Sequence, residues 1–300
     1  MKDRLQQFMF EHTAVRGEFV TLNEAWESIL ANQSLPLAVA NVLGELLAAA
    51  VLLAGNIKFR GTLIMQIQGD GPVRLLVAEC DSDMRIRATA KLAEGAVIAD
   101  DAALTQLVHV NGQGRFVITV DLTDKAPGQL PWQGIASLDG RNLSEVIENY
   151  MLNSEQLSTH IRLAANERVC TGLLLQKLPG KTGEDGLSQN TEEDDFAWAH
   201  FVALGSTLTR DEMLDTDIDI LRHRLYWEED VFLFEPWELT FFCSCSIEKV
   251  RDMFRMLGEA EVTSALEEQD GQLTVECDFC GNSFHFGTED IHRLFAPDAA

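Results

Sequence analysis

The stretch LPLAVANVLGELLAAAVLLAGNI, residues 35–57, is long and apolar enough to be either a membrane span or the central helix of a folded core, and the choice decides the fold. It contains Asn41 and Glu45, and a carboxylate near a bilayer centre costs roughly 2.5–3.5 kcal/mol even on lenient insertion scales. Pro36 suits a first helical turn and Gly55-Asn56 a stop. The segment therefore reads as a buried core helix over 36–54. Outward from it, a helical pattern at 22–32 comes before, and β-rich runs at 62–68, 73–79, 85–90 and 115–122 come after. Gly69-Asp70-Gly71-Pro72 between the first two runs is a turn signal that makes them a hairpin. A helix at 143–156 and strands at 160–165 and 169–177 complete an expected α+β layer structure.

Composition narrows the function classes. A chain of 300 residues, 46% hydrophobic, has room for about two domains and at least one real core. Its 23 basic and 48 acidic side chains give a formal charge of -25, which repels phosphate backbones and anionic lipid headgroups, so neither nucleic acid nor membrane is an expected partner. The first residues, MKDRLQQF, lack the apolar run of a secretory signal, and a cytoplasmic location is expected. The charge is lopsided: residues 1–181 carry 16 basic and 20 acidic groups, residues 182–300 carry 7 and 28. Such a break marks regions with different physical jobs.

The break coincides with KTGEDGLSQNTEEDD, residues 181–195, which holds six carboxylates and almost nothing to bury. It cannot offset its own ordering entropy and reads as a linker. Beyond it, Phe196, Trp198, Phe201, Val202, Leu204 and Leu208 are apolar, and TRDE at 209–212 and TDID at 216–219 have capping-box spacing. Short amphipathic helices over 196–228 are expected, too short to stand alone in water, and in need of a surface to lie on. The organisation is then a mixed α/β-layer core domain at 1–180, an acidic, marginally stable helical linker at 181–239 and a small C-terminal domain at 240–300, whose chemistry lies in its cysteines.

Four of the six cysteines form Cys243-Ser-Cys245 and Cys277-Asp-Phe-Cys280, with 31 residues between the pairs. In a reducing compartment, four thiolates in two close pairs are the soft donor set of a closed tetrahedral zinc site, one ion per chain. Gly281 suits a tight knuckle turn, flanked by strand-like 273–276 and 283–286. Ser246 is placed to cap a helix ending at Gly258, and a second helix runs to the Asp270-Gly271 turn. The bland alternative is a purely structural zinc ribbon. Against it, Cys-X-Cys is an unusual half-site whose sulfurs are placed to react with each other. A loop of three or four residues closed by a disulfide stabilises by only about 1.5–2 kcal/mol, whereas structural zinc supplies roughly 10–16 kcal/mol in peptide systems. Oxidation that exchanged the ion for local bonds would therefore loosen the module.

Other candidates carry less. Cys80 and Cys170 lie in apolar runs and read as buried thiols. His285 is near Cys280, but four cysteines already fill a tetrahedron. Gly180-Lys181-Thr182 lacks the earlier glycine of a phosphate loop, since position 175 is Leu175. The remaining histidines, His12, His109, His160, His200, His223 and His292, have no Ser or Cys partner at a defensible spacing, so no catalytic residues are assigned and no enzyme is expected.

The cysteine pairs, LYWEE at 225–229 with FEP at 234–236 leading into CSCS at 243–246, CDFCGN at 277–282 and the IQGDGPVRLLV stretch at 67–77 together resemble the redox-regulated heat shock protein 33 chaperone family, over nearly the whole chain. The resemblance implies an ATP-independent holdase, inactive while Cys243, Cys245, Cys277 and Cys280 hold zinc. It implies activation by oxidants with unfolding stress, through disulfides Cys243 with Cys245 and Cys277 with Cys280, zinc release and linker unfolding. It further implies unfolding client proteins as partners, a homodimer when oxidised, and hand-over to ATP-dependent foldase chaperones. The acidic insertion at 181–195, and Trp237 and Phe241-Phe242 beside the first cysteine pair, depart from the family pattern without touching the ligands. Two rivals remain at this point: a thiol-disulfide oxidoreductase using Cys277 and Cys280, and a constitutive zinc-ribbon interaction module.

Overall fold

The computed structural model describes residues 2–126, 128–179 and 192–296. Most of the acidic linker stretch, 181–191, lies outside the described residues, as does the Gly180-Lys181-Thr182 tripeptide. The chain divides into two compact units, the second beginning at Phe242.

The first unit runs β1 (Arg4–Phe10), β2 (Val15–Leu22), α1 (Glu24–Leu30), α2 (Leu37–Gly55), β3 (Gly61–Gln68), β4 (Val73–Asp81), β5 (Arg85–Leu92), α3 (Leu104–Val108), β6 (Arg115–Leu122), β7 (Trp132–Ser137), α4 (Leu143–Asn153), β8 (Thr159–Ala165) and β9 (Cys170–Lys177). It continues with α5 (Glu192–Ser206), α6 (Arg210–Asp215), α7 (Ile218–Leu225), β10 (Val231–Leu233), β11 (Trp237–Glu238) and β12 (Thr240–Phe241). One sheet has the order β10-β1-β2-β9-β8, with β11 also on β1; the other has β12-β5-β4-β3-β6-β7. Helix α2 lies between them and contacts strands of both. Its all-round apolar sequence follows from that position, because a helix with sheets on two sides has no wet face. The 35–57 stretch is thus a core helix, with Pro36 as its N-cap residue and Asn56 as its C-cap.

The expected strands and hairpin are present as β3 to β6, β8 and β9, with β3 and β4 paired antiparallel across the Gly69 to Pro72 turn. Two expectations need correcting. The helical pattern at 22–32 begins too early, since Leu22 ends β2 and α1 starts at Glu24. The TDID cap is shifted by one: Asp217, not Thr216, caps α7 and accepts from the Asp219 N–H, while Thr216 closes α6. The Thr209–Glu212 capping box forms as read. Strands β1, β2 and β7 are additions.

Alternation along β1, β2 and β9 splits their side chains between two cores. Leu5, Val20, Leu22 and Leu174 face α2, while Phe8, Phe10, Val15, Phe19, Leu173 and Leu175 face outward. That outer face is covered by α5 to α7, which bury Phe201, Leu208, Met213, Ile218 and Leu221, with Tyr226 just past α7, against it. Burial on both faces is why β9 is buried at every position. Polar clasps hold the helices in place. Arg4 pairs with Asp217 at 2.9 Å and Asp219 at 2.8 Å, Arg210 with Glu45 at 3.0 Å, and Lys177 with Asp195. Burial pushes the Glu45 carboxyl up to about 7, with Arg210 pulling the other way.

Glu18 of β2 is 1% exposed; its Oε1 accepts from Gln7 Nε2 at 2.6 Å, and its Oε2 has no partner among the described residues. Burial pushes its carboxyl from the ordinary 4.5 to about 8, outweighing the Gln7 hydrogen bond and the Arg16 charge. Between those two values the folded chain holds a proton that the unfolded chain releases, so stability falls as pH rises through the window. Glu18→Gln, which keeps the acceptor for Gln7 and cannot ionise, is expected to flatten this slope. The gain should be on the order of a few kcal/mol at about pH 9 and small at about pH 5. Urea unfolding of both proteins across that range is the measurement, and an unchanged slope would contradict it.

Candidate metal centre

The second unit contains α8 (Ile247–Leu257), α9 (Glu259–Glu268), β13 (Gln272–Glu276), β14 (Ser283–Gly287) and α10 (Thr288–Phe295). Ser246 caps α8 by accepting from the Lys249 N–H, Gly258 ends it at φ 90°, and Asp270-Gly271 turns the chain into β13, as the sequence indicates. The core of this unit is small: Val250, Phe254, Val262, Leu266, Leu273, Phe286 and Ile291. Phe254 meets Phe286 edge-on at 4.9 Å. So few buried side chains leave a domain of this size marginal unless something else fastens it.

The β13–β14 hairpin pairs Glu276 with Ser283, which places Cys277 to Asn282 in its connecting turn. Two backbone bonds close that turn: Gly281 N–H donates to the Cys277 carbonyl at 2.8 Å, and Cys277 N–H donates to the Asn282 carbonyl at 2.9 Å. Gly281 sits at φ 69°, where a side chain would be strained by roughly 1–2 kcal/mol. The turn therefore aims Cys277 and Cys280 the same way. Cys243 and Cys245 come from the segment that leads into α8, whose N-terminal partial charge begins two residues beyond Cys245.

All four sulfurs lie within 4.8 Å of one another. Cys243 Sγ is 3.6 Å from Cys277 Sγ, and Cys245 Sγ is 3.4 Å from Cys280 Sγ. Four sulfurs about 2.3 Å from one ion at tetrahedral angles lie about 3.8 Å apart, so the cluster has the dimensions of a thiolate cage for a single soft cation. A disulfide would need about 2.05 Å, and none of the four sulfurs is in one. Burial raises the Cys243 thiol, but the Cys245 backbone N–H and the sulfurs of Cys280, Cys277 and Cys245 together bring it below its ordinary value. Burial pushes Cys245 and Cys280 up, and the neighbouring sulfurs add to this at Cys280. With protons alone the four cannot all ionise in so small a space, and a divalent cation is what would let them.

Cys80 and Cys170 are buried in β4 and β9, where burial pushes both thiols well up. His285 turns its Nδ1 to the Thr274 hydroxyl at 3.0 Å and is not among the clustered groups. Two residues near the sulfurs escaped the sequence reading. Asn282 Nδ2 donates to Cys245 Sγ at 3.8 Å, and Lys249 Nζ donates to the Ser244 hydroxyl at 2.8 Å, steadying the Cys-X-Cys segment. Asn282 ends the CDFCGN stretch just after the glycine that closes the turn, but nothing in the residue string shows that its side chain reaches a sulfur.

Comparisons with known proteins bear on the family and the fold. The family profile described as "Hsp33 protein" matches residues 3–287. A "33 kDa chaperonin" of Neisseria gonorrhoeae is 42% identical over 296 residues, covering 99% of this chain and 92% of that protein. One from Pseudomonas aeruginosa is 42% identical over 294 residues, covering 98% and 95%. The crystal structure of a 33 kDa chaperonin from Thermotoga maritima shares the fold with a TM-score of 0.76 at 20% identity, covering 97% of each chain.

Proposed function

Since the chain belongs to the Hsp33 protein family, we propose that it is a redox-regulated, ATP-independent chaperone of the cytoplasm, silent while its thiols are reduced and its metal is bound. The observation that carries the reading is the cluster of four cysteine sulfurs from two stretches of chain with 31 residues between them. Cys243, Cys245, Cys277 and Cys280 are its metal ligands and the ion is zinc, the soft cation that suits four thiolates. Bound there, zinc fastens both ends of the small unit and keeps its thiolates charged.

Oxidation acts on the sulfurs. Two thiolates donate an electron pair to hydrogen peroxide; an S–S bond forms, the O–O bond breaks, and with two protons the oxygens leave as two waters. A second peroxide converts the other pair. Pairing Cys243 with Cys245 and Cys277 with Cys280 removes the donor set and leaves two local loops in place of a long-range tie. Helices α5 to α7, in the linker proposed over 181–239, then release the outer face of β1, β2 and β9, and that face takes up clients. Its side chains, Phe8, Phe10, Phe19, Leu173 and Leu175, are what an unfolding polypeptide with exposed apolar segments would bind. The net charge of -25 keeps such a surface soluble. A dimer of the oxidised chain and transfer of clients to an ATP-driven foldase complete the reading. A thiol-disulfide oxidoreductase fits less well, because Cys277 and Cys280 sit in a hairpin turn rather than at a helix N-terminus that would lower one thiol.

The test runs a zinc-chelating dye beside a light-scattering assay of a heat-unfolding client, with peroxide and mild warming. About one zinc per chain should appear as scattering is suppressed, and peptide mapping should find the disulfides within the pairs. Suppression with zinc retained, or bonds across the pairs, would overturn the proposed switch.

A further inference from the structure

Helix α2 stops at Gly55, but the strands on either side of it continue, and the space beyond its end is not filled by side chains. A cavity of about 300 Å³ remains there. Leu63, Ile118, Val120 and Met151 line one side, and half-exposed Trp132 and Ile57 leave it partly open to solvent.

Its polar lining is sparse and incompletely satisfied. Arg16 reaches in from β2, with Nε and Nη2 both donating to the single oxygen Oε1 of Gln176. No carboxylate lies within ion-pair distance of Arg16 among the described residues, and Nη1 has no partner there. Glu18, two residues along the same strand, is buried, and burial pushes its carboxyl up to about 8. Glu155, also in the lining, is engaged by the Tyr150 hydroxyl at 2.8 Å. The Asn56 Oδ1, at the helix end, is buried with no donor among the described residues. A half-buried guanidinium with only a neutral amide oxygen for company favours an anion, and its N–H groups not taken up by Gln176 face the cavity as donors for a carboxylate. The apolar walls favour a hydrocarbon body of small volume.

We propose that this cavity binds a small amphipathic monocarboxylate of the medium-chain fatty acid class, its carboxylate on Arg16 and its alkyl chain against Leu63, Ile118, Val120 and Met151. The site is made from inward-facing residues, so it is separate from the outer sheet face to which clients are assigned. It stays formed while α5 to α7 are docked.

The experiment is isothermal titration calorimetry of the full reduced, metal-loaded chain with sodium decanoate, below its micelle concentration, and with 1-decanol and decyltrimethylammonium. One decanoate per chain is expected, at least about tenfold tighter than decanol, with the cation weakest. Arg16→Gln should bring decanoate down to the decanol level and leave decanol unchanged, while Ile118→Trp, which fills the cavity, should abolish both. Decanoate binding no tighter than decanol, several decanoates per chain, or none at all would overturn the proposal. These outcomes are read on the unmodified chain, so they stand even if a variant fails to fold.

Discussion

Phe201→Asp in the reduced, metal-loaded chain is expected to yield a protein that suppresses client aggregation with no oxidant present. Phe201 is 3% exposed and stacks on Phe10 with ring centroids 3.6 Å apart and planes 6° from parallel. Loss of a buried phenylalanine costs about 3–5 kcal/mol before the burden of a buried carboxylate is added. The segment it anchors has little in reserve. Its helices span 15, 6 and 8 residues, lengths that are marginal in water without a surface beneath them. The Tyr226 hydroxyl is buried there without a partner among the described residues, a defect worth roughly 1–3 kcal/mol against docking. The partly exposed ion pairs of Arg4 and Arg210 each add no more than about 1 kcal/mol. The variant should lose helical circular dichroism, become protease-sensitive between 192 and 239, keep its zinc and hold clients. Helix release without any suppression would place client capture on another surface.

Cys277→Ser should have the larger structural effect and act on the other unit. One thiolate fewer leaves the cage of four sulfurs incomplete, and zinc per chain is expected to fall from about one to near zero under chelator challenge. The seven-residue core of that unit cannot make up a binding free energy of roughly 10–16 kcal/mol. Residues 242–296 should therefore lose dispersed nuclear magnetic resonance signals and protease resistance, with α5 to α7 released as the switch requires, while the strands and helices from β1 to β9 keep theirs. A compact second unit after metal loss would show that its core alone suffices, and the switch proposed above would lose its physical basis.

Parts of this were legible without coordinates. The cysteine spacing, the knuckle glycine and the caps at Ser246 and Thr209 are local, and local chemistry determines them. Strand β3 alternates as a sheet with one buried face does, and β4 to β6 are marked by β-rich apolar runs between turn signals. Strands β1 and β2 were missed for the opposite reason. Gln6, Glu18 and Thr21 are buried alongside Leu5, Phe8 and Phe19 because both faces are covered, so the period-two signal is lost. Strand β7 is a largely exposed edge and carries little pattern. Asn282 and Lys249 near the sulfurs depend on turn geometry that a residue string does not display.

Residue order by itself determined the two cysteine pairs, the short helices and the central apolar helix, because each rests on neighbours a few positions away. The tertiary structure alone decided which sheet face α5 to α7 conceal and that a guanidinium borders an empty apolar space beyond α2. Those facts depend on strands from β1 to β9 meeting across more than 160 residues, and such meetings are set by the shape and burial of whole surfaces rather than by any local pattern.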